Sequence, residues 1–488
     1  MSTIHDQAMN YVYQQVLQRL LSFFSRAERT ALQLLIQRLV VAAGGGERIG
    51  EFKVLVIQTG TRDSCYALAM LRAAQLSIAG RAPATFQLRV ATLRYDGNGV
   101  AALENMHRSY GALFLYDDPR VELLMVDHRE VLPFDHQAPI TESGSEANRI
   151  NLLMVGHRRA WGEALELWDD RYLATAEFYG QIARWSNGVD VLAGCDSAAR
   201  QKRFIDGLGR AVRKVGIGPL AANAGSYEQL FSLLDGLDGD CYRRLYTEPE
   251  RMPWRPEGQF EACRRTLFID IHDILVAKLD ERWPLLSEFL GFQSDEWTQA
   301  LFEDEWQDPL VDAYLCGLEA EFVEGLGYGA GVQAYVQRSL AAMRRRQVPE
   351  PVCEYLVATF GKPQGFEEQR KQALVSLQAR FGLTESQIVC LLFAPFIDGG
   401  AGLERFLRSC HPGMLVAMPD LHRAMQGLHA PEQVLQWMTE VSGLPVRLIG
   451  RLYAMEPMPA SPPSLGSAPG NEASQGGQAL GGERSQEG

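Results

Sequence analysis

The chain reads as an α/β protein with a large helical addition. The predicted order is an N-terminal helical segment, a Rossmann-like domain on a mostly parallel sheet, a large C-terminal helical region and a disordered tail. Three features predict this. Residues 52–74, FKVLVIQTGTRDSCYALAMLRAA, pass from an apolar strand pattern through a Thr59-Gly60-Thr61 turn into an Ala- and Leu-rich helix, the unit that opens many ligand-binding α/β domains. Between residues 50 and 160, apolar runs alternate with helical patterns, which argues for parallel strands joined by right-handed crossovers. From residue 457 the composition turns to Pro, Gly, Ser and Ala without an aromatic residue, which offers too little apolar surface to offset the entropy of ordering.

Taken in order, residues 1–46 form the N-terminal helical segment. Val12, Val16, Leu20, Phe23, Ala27, Ala31 and Leu35 recur at spacings of three and four and make one apolar stripe. Ser25 with Glu28 three residues on has the form of a capping box, so the segment divides into two helices there. The stripe suits a cover for the sheet or a dimerisation and partner-binding face.

Residues 50–195 are the α/β domain. Strands are expected at 54–58, 88–93, 121–126 and 150–155, helices at 64–79 and 101–110, and one further short strand at 189–192. The stretch 133–148 is long and polar, the character of a lid or binding loop. From residue 161 to 345 the pattern is mostly helical, with helical periodicity at 161–185, 198–215, 227–237 and 261–279 and a proline-rich connector at 247–258; residues 196–345 are the helical region that follows the α/β domain. Residues 350–456 make a second helical block, in which Thr384 and Gln387 form another capping-box signature. Residues 457–488 are the tail.

The composition narrows the function classes. Hydrophobic residues are 46% and charged residues 22% of 488, enough to bury a core. The net charge of −13 is spread along the chain, a poor basis for neutralising phosphates, so nucleic acid is not expected as the primary partner. The basic run at 341–347, AAMRRRQ, reads as a solvated helix face. Eight scattered cysteines without a CxxC pair suit free thiols in a reducing compartment. No signal peptide and no run of about 18 apolar residues is present, so a cytoplasmic protein that does not enter a membrane is expected.

The candidate site is the first strand-to-helix turn. Gly60 would permit close backbone approach, the helix start offers free N–H groups to an anion, and Thr59, Thr61 and Ser64 supply hydroxyls. The competing reading is a plain helix cap with Asp63 or Ser64 as N-cap. On the binding reading, Gly60→Val removes ligand affinity and leaves the fold largely intact. Asp96, in the turn after the second strand, stands where an acid often meets a ribose hydroxyl, although DGNG is also a turn sequence in its own right. Asp127 closes the third strand.

Together VLVIQTGT, Asp96 and DHREVLPF resemble, over about 100 residues, the layout of the S-adenosylmethionine-dependent methyltransferases. The resemblance implies a nucleotide-like cofactor at the turn, a ribose contact from Asp96 and an adenine-side contact from the Asp127 segment. Gln58 and a single Gly60 stand where that family carries an acid and several glycines.

Elsewhere Asp270-Ile271-His272-Asp273 invites a metal reading, but a helix there would spread these side chains apart, and no metal set is expected. Trp297 and Trp306, each preceded by two acids, suit a partner surface or ordinary packing. No GxSxG elbow or HExxH occurs. With no acid, base or nucleophile constellation, the first expectation is a non-enzymatic protein binding a small nucleotide-like ligand, a protein partner or its own copy. The alternative is a group-transfer enzyme on the same scaffold; the cofactor stays unassigned.

Overall fold

The computed structural model describes residues 3–95, 100–128, 130–159, 165–217, 229–230, 234, 240–246, 265–274, 279–293, 308–345 and 348–456. Asp96, Trp161, Trp297, Trp306, the connector at 247–258, the tail and most of 227–237 lie outside them.

Two helices, α1 (Thr3–Phe23) and α2 (Arg26–Ala42), open the fold. The break falls where the capping box predicts. Ser25 Oγ accepts from Glu28 N at 3.2 Å, and Glu28 Oε2 accepts from Ser25 N at 2.7 Å. Then come β1 (Lys53–Ile57), α3 (Arg62–Ala79), β2 (Gln87–Arg94), α4 (Val100–Ala112), β3 (Val121–Asp127), β4 (Glu130–Pro133), α5 (Glu142–His157), α6 (Asp169–Arg184), β5 (Val191–Gly194), α7 (Ala198–Lys214) and β6 (Leu267–Asp270). Helices follow to the end of the described chain, among them Pro309–Leu318, Phe366–Phe381, Glu385–Phe393 and Val446–Ala454. Thr384 caps Glu385–Phe393 in the predicted capping box.

The six strands lie in the order β4-β3-β2-β1-β5-β6, and every pair is parallel except β3 with β4. This is a doubly wound sheet. Successive residues on a strand face opposite sides, and here both sides are dry. Val54, Val56, Val191 and Ala193 pack with α1 to α4. Leu55, Ala91 and Leu192 pack with α5, α6 and α7 in a core that continues into the helices between residues 373 and 452. Burial on both faces is why the parallel strands read as continuous apolar runs rather than alternating ones.

Two expectations are overturned. The run at 150–155, taken as a strand, lies inside α5. Thr141 caps that helix, its Oγ1 accepting from Gly144 N at 3.0 Å. The C-terminal half of α5, residues 151–157, is buried on every side between the sheet and the C-terminal helices, so the short apolar run there hides its period. The supposed loop at 133–148 is accordingly shorter: β4 closes a hairpin at its start and α5 begins at Glu142. At 261–279, taken as helix, the described part holds β6, an outer parallel strand whose Phe268 and Ile269 are half-buried. Tertiary pairing with β5 overrides the weak local pattern. The helix expected over 161–185 is α6, which begins at Asp169.

Candidate functional site

A sheet wound in both directions from β1 leaves a crevice where the order reverses, outside the carboxyl ends of the strands. Here α3 carries the chain from β1 towards β2, and β5 lies on the other flank of β1. At that point the structure has a cleft of about 450 Å³, open solvent at its mouth included, lined by Thr59, Thr61, Asp63 and Ser64 from the β1 side and by Gly194, Cys195, Asp196 and Arg200 from the β5 side. Ile57, Leu192, Ala193 and Tyr179 of α6 form the rest of its wall.

The turn itself is built by local hydrogen bonds. Thr61 is the N-cap of α3, upstream of the expected Asp63 or Ser64. Its Oγ1 accepts from Ser64 N at 3.4 Å, and Ser64 Oγ accepts from Thr61 N at 3.1 Å. Thr59 Oγ1 lies 3.0 Å from Thr61 Oγ1. Gln58, buried, donates from Nε2 to Ser64 O at 2.8 Å. The three hydroxyls therefore form a connected row at the helix start, where the peptide dipoles also favour an anion.

Gly60 has φ +75°, and a Cβ there would lie 2.3 Å from the carbonyl oxygen of Ala102. The close approach that glycine permits is made by α4, the chain's own backbone. Gly60→Val is thus a packing lesion rather than a clean probe of ligand binding. Asp63 pairs with Arg282 at 3.1 Å, and that guanidinium lies 4.7 Å over the Tyr66 ring.

The predicted residues divide. Thr59, Thr61 and Ser64 meet in the cleft, with Gly60 shaping the turn. Asp127 does not line it. It lies at the end of β3, two strands from β1, buried, with Oδ2 accepting from Thr141 N at 2.8 Å. It fastens the start of α5, a good place for a carboxylate at a helix N-terminus. Asp96 lies outside the described residues.

The sequence reading missed the whole β5 wall. α7 starts there with Ser197 as N-cap, its Oγ accepting from Arg200 N at 3.3 Å, so a second helix start adjoins the cleft. Arg200 lies 3.8 Å from Asp196. The signal was the short strand at 189–192 followed by Gly194; pairing it with β1 would have brought residues 194–200 to the switch point.

Also unforeseen is a dense buried polar group around the start of α6. Asp169 is paired with Lys214 at 2.6 Å and Arg210 at 2.9 Å. Asp170 accepts from Tyr95 Oη at 2.6 Å and Tyr242 Oη at 2.7 Å, and burial pushes its carboxyl up to about 6 despite both donors. Asp312, which accepts from Trp168 Nε1 at 3.1 Å, is pushed up by burial to about 7.

Among the described residues no group of three or more His, Cys, Asp or Glu could hold a metal ion, and no helix is long and apolar enough to cross a membrane. The seven cysteines described are free. No protein family, curated protein or solved structure matches the chain.

Proposed function

We propose that the protein binds a small phosphate-bearing, nucleotide-like ligand in the crevice between β1 and β5, and that the helical region packed on the same core carries the response to it. One observation supports this above the rest: the starts of α3 and α7 adjoin a single cleft at the switch point, with a row of three hydroxyls on one wall and Arg200 on the other. Helix starts and a guanidinium favour an anion locally even in a chain of net charge −13.

On this reading the protein is a binding protein first. The second reading, a group-transfer enzyme, is favoured by Asp63 and Asp196, which bring two carboxylates to the same cleft, the second of them 3.8 Å from Arg200. The specifically methyltransferase form of it is weakened, because Asp127 gives one carboxylate oxygen to the start of α5 and stands two strands from β1, away from the cleft lining. Native mass spectrometry of the purified chain with S-adenosylmethionine, NAD and ATP at matched concentrations tests the proposal. A mass shift with one of them supports it, and turnover of that compound moves the protein to the second reading. No shift with any, alongside a dimer or a co-purified partner, overturns it in favour of a protein-interaction role.

A further inference from the structure

The Asp270-Ile271-His272-Asp273 motif ends β6 and holds the β5 wall of the crevice from behind. In the sheet Gly194 is in register with Asp270, and Ile271 N donates to Gly194 O at 2.9 Å. Just beyond this last ladder bond the chain of β5 turns into the cleft. Asp270 uses both carboxylate oxygens there: Oδ1 accepts from His272 N at 2.8 Å and Oδ2 from Gln201 Nε2 at 3.0 Å. Gln201 Nε2 also donates to Asp196 O at 2.9 Å, and His272 Nδ1 lies 3.2 Å from Cys195 O. Since a carbonyl only accepts, that ring nitrogen carries the proton.

Two consecutive carbonyls of the cleft wall are therefore held by side chains from α7 and from the end of β6. The arrangement continues outward: Arg38 of α2 donates to Asp270 O at 3.0 Å and grips Asp273 through two bonds of 3.0 and 2.7 Å.

We infer that Gln201, Asp270 and His272 are positioning residues for the crevice, fixing the Cys195–Asp196 segment and the start of α7 so that Arg200 meets the ligand. The inference rests on the proposed ligand site, but half of its test needs no ligand. Gln201, Asp270 and His272 are only half-buried, so hydrogen bonding rather than burial is what they bring to this segment.

The test uses the full chain with Gln201→Glu, which keeps the shape but removes both donors and faces Asp270 with a second carboxylate. Gln201→Leu is the second variant should the first fold poorly. Amide hydrogen exchange over residues 195–201 is read without ligand, and the affinities for ATP and for inorganic phosphate are read by calorimetry. The expected result is exchange about tenfold faster in that segment, with protection elsewhere unchanged, and binding of whichever probe the wild type takes weakened about tenfold, or about 1.4 kcal/mol. Unchanged exchange at 195–201 overturns the relay. Faster exchange with unchanged affinity overturns its positioning role. If the wild type takes neither probe, the ligand proposal is what has failed, and the exchange data still decide whether the relay exists.

Discussion

Replacing Asp170 by Asn should change how stability depends on pH, by an amount that follows from the structure. Asp170 is 1% exposed and is held by two phenol hydroxyls, one from the end of β2 and one from the 240–246 segment. Burial raises its carboxyl from 3.8 to about 6. The folded state therefore keeps a proton that the unfolded state has already lost, and stability falls as pH rises across that interval. At 1.36 kcal/mol per pH unit, the rise is worth about 3 kcal/mol, present in full below about pH 4 and gone above about pH 6. Asn has nothing to titrate, and its amide still offers an acceptor to one tyrosine and a donor to the other. Paired urea unfolding curves of wild type and Asp170→Asn, followed by tryptophan fluorescence from pH 4 to 8, measure the difference directly. The advantage of the variant should grow by about 3 kcal/mol between pH 4 and 7 and stay level beyond. Asp312, also pushed up by burial, is common to both proteins and cancels. A difference that stays flat across the range would refute the reasoning, since it would mean that Asp170 is ionised in the folded protein at no cost.

Three further outcomes follow from local geometry. Gly60→Ala should destabilise the protein by about 3 kcal/mol, combining a left-handed backbone that L-residues resist with a Cβ driven into the Ala102 carbonyl; a thermal melt within a degree of wild type would contradict this. Thr61→Ala should cost about 1 kcal/mol through the lost cap of α3, while Thr61→Ser, which retains the hydroxyl, should cost far less, both read by chemical denaturation. Asp118→Ala should cost about 3–5 kcal/mol, because it strands Arg72, whose guanidinium is fully buried and 2.7 Å from that carboxylate; loss of soluble protein or a large drop in unfolding midpoint checks it.

The parts of the fold legible in the sequence were those whose local chemistry agreed with their place in the whole. Ser25 with Glu28 and Thr384 with Gln387 marked helix starts because a capping box satisfies backbone donors within four residues, whatever lies outside. The pattern from β1 to β3 was legible because strands buried on both faces are mostly apolar, even though β2 also buries Arg89 and Thr92. That same burial misled at 150–155. A helix enclosed on all sides loses its 3.6-residue period and looks like a strand, and only the polar Thr141 cap upstream betrayed it. The Leu267–Asp270 strand was hidden for another reason: three of its four residues are apolar, but so short a run does not tell a strand from a piece of helix, and its conformation is owed to pairing with β5.

The candidate site divides along the same line. Thr59, Gly60, Thr61 and Ser64 were found because one continuous stretch of chain builds their wall of the crevice. The facing wall begins more than a hundred residues later, at the end of β5, and nothing in Cys195, Asp196 or Arg200 marks them locally. Their position is a consequence of strand order alone. Asp127 shows the converse limit. An acid closing a parallel strand can turn to a ligand or to the next helix, and the residue type is the same in both cases. What decides is the reach of Thr141, whose backbone N–H comes within 2.8 Å and takes the carboxylate for α5. A site at a switch point is thus half local and half topological. The local half can be read from a turn, and the other half can be read only after the strands have been put in order.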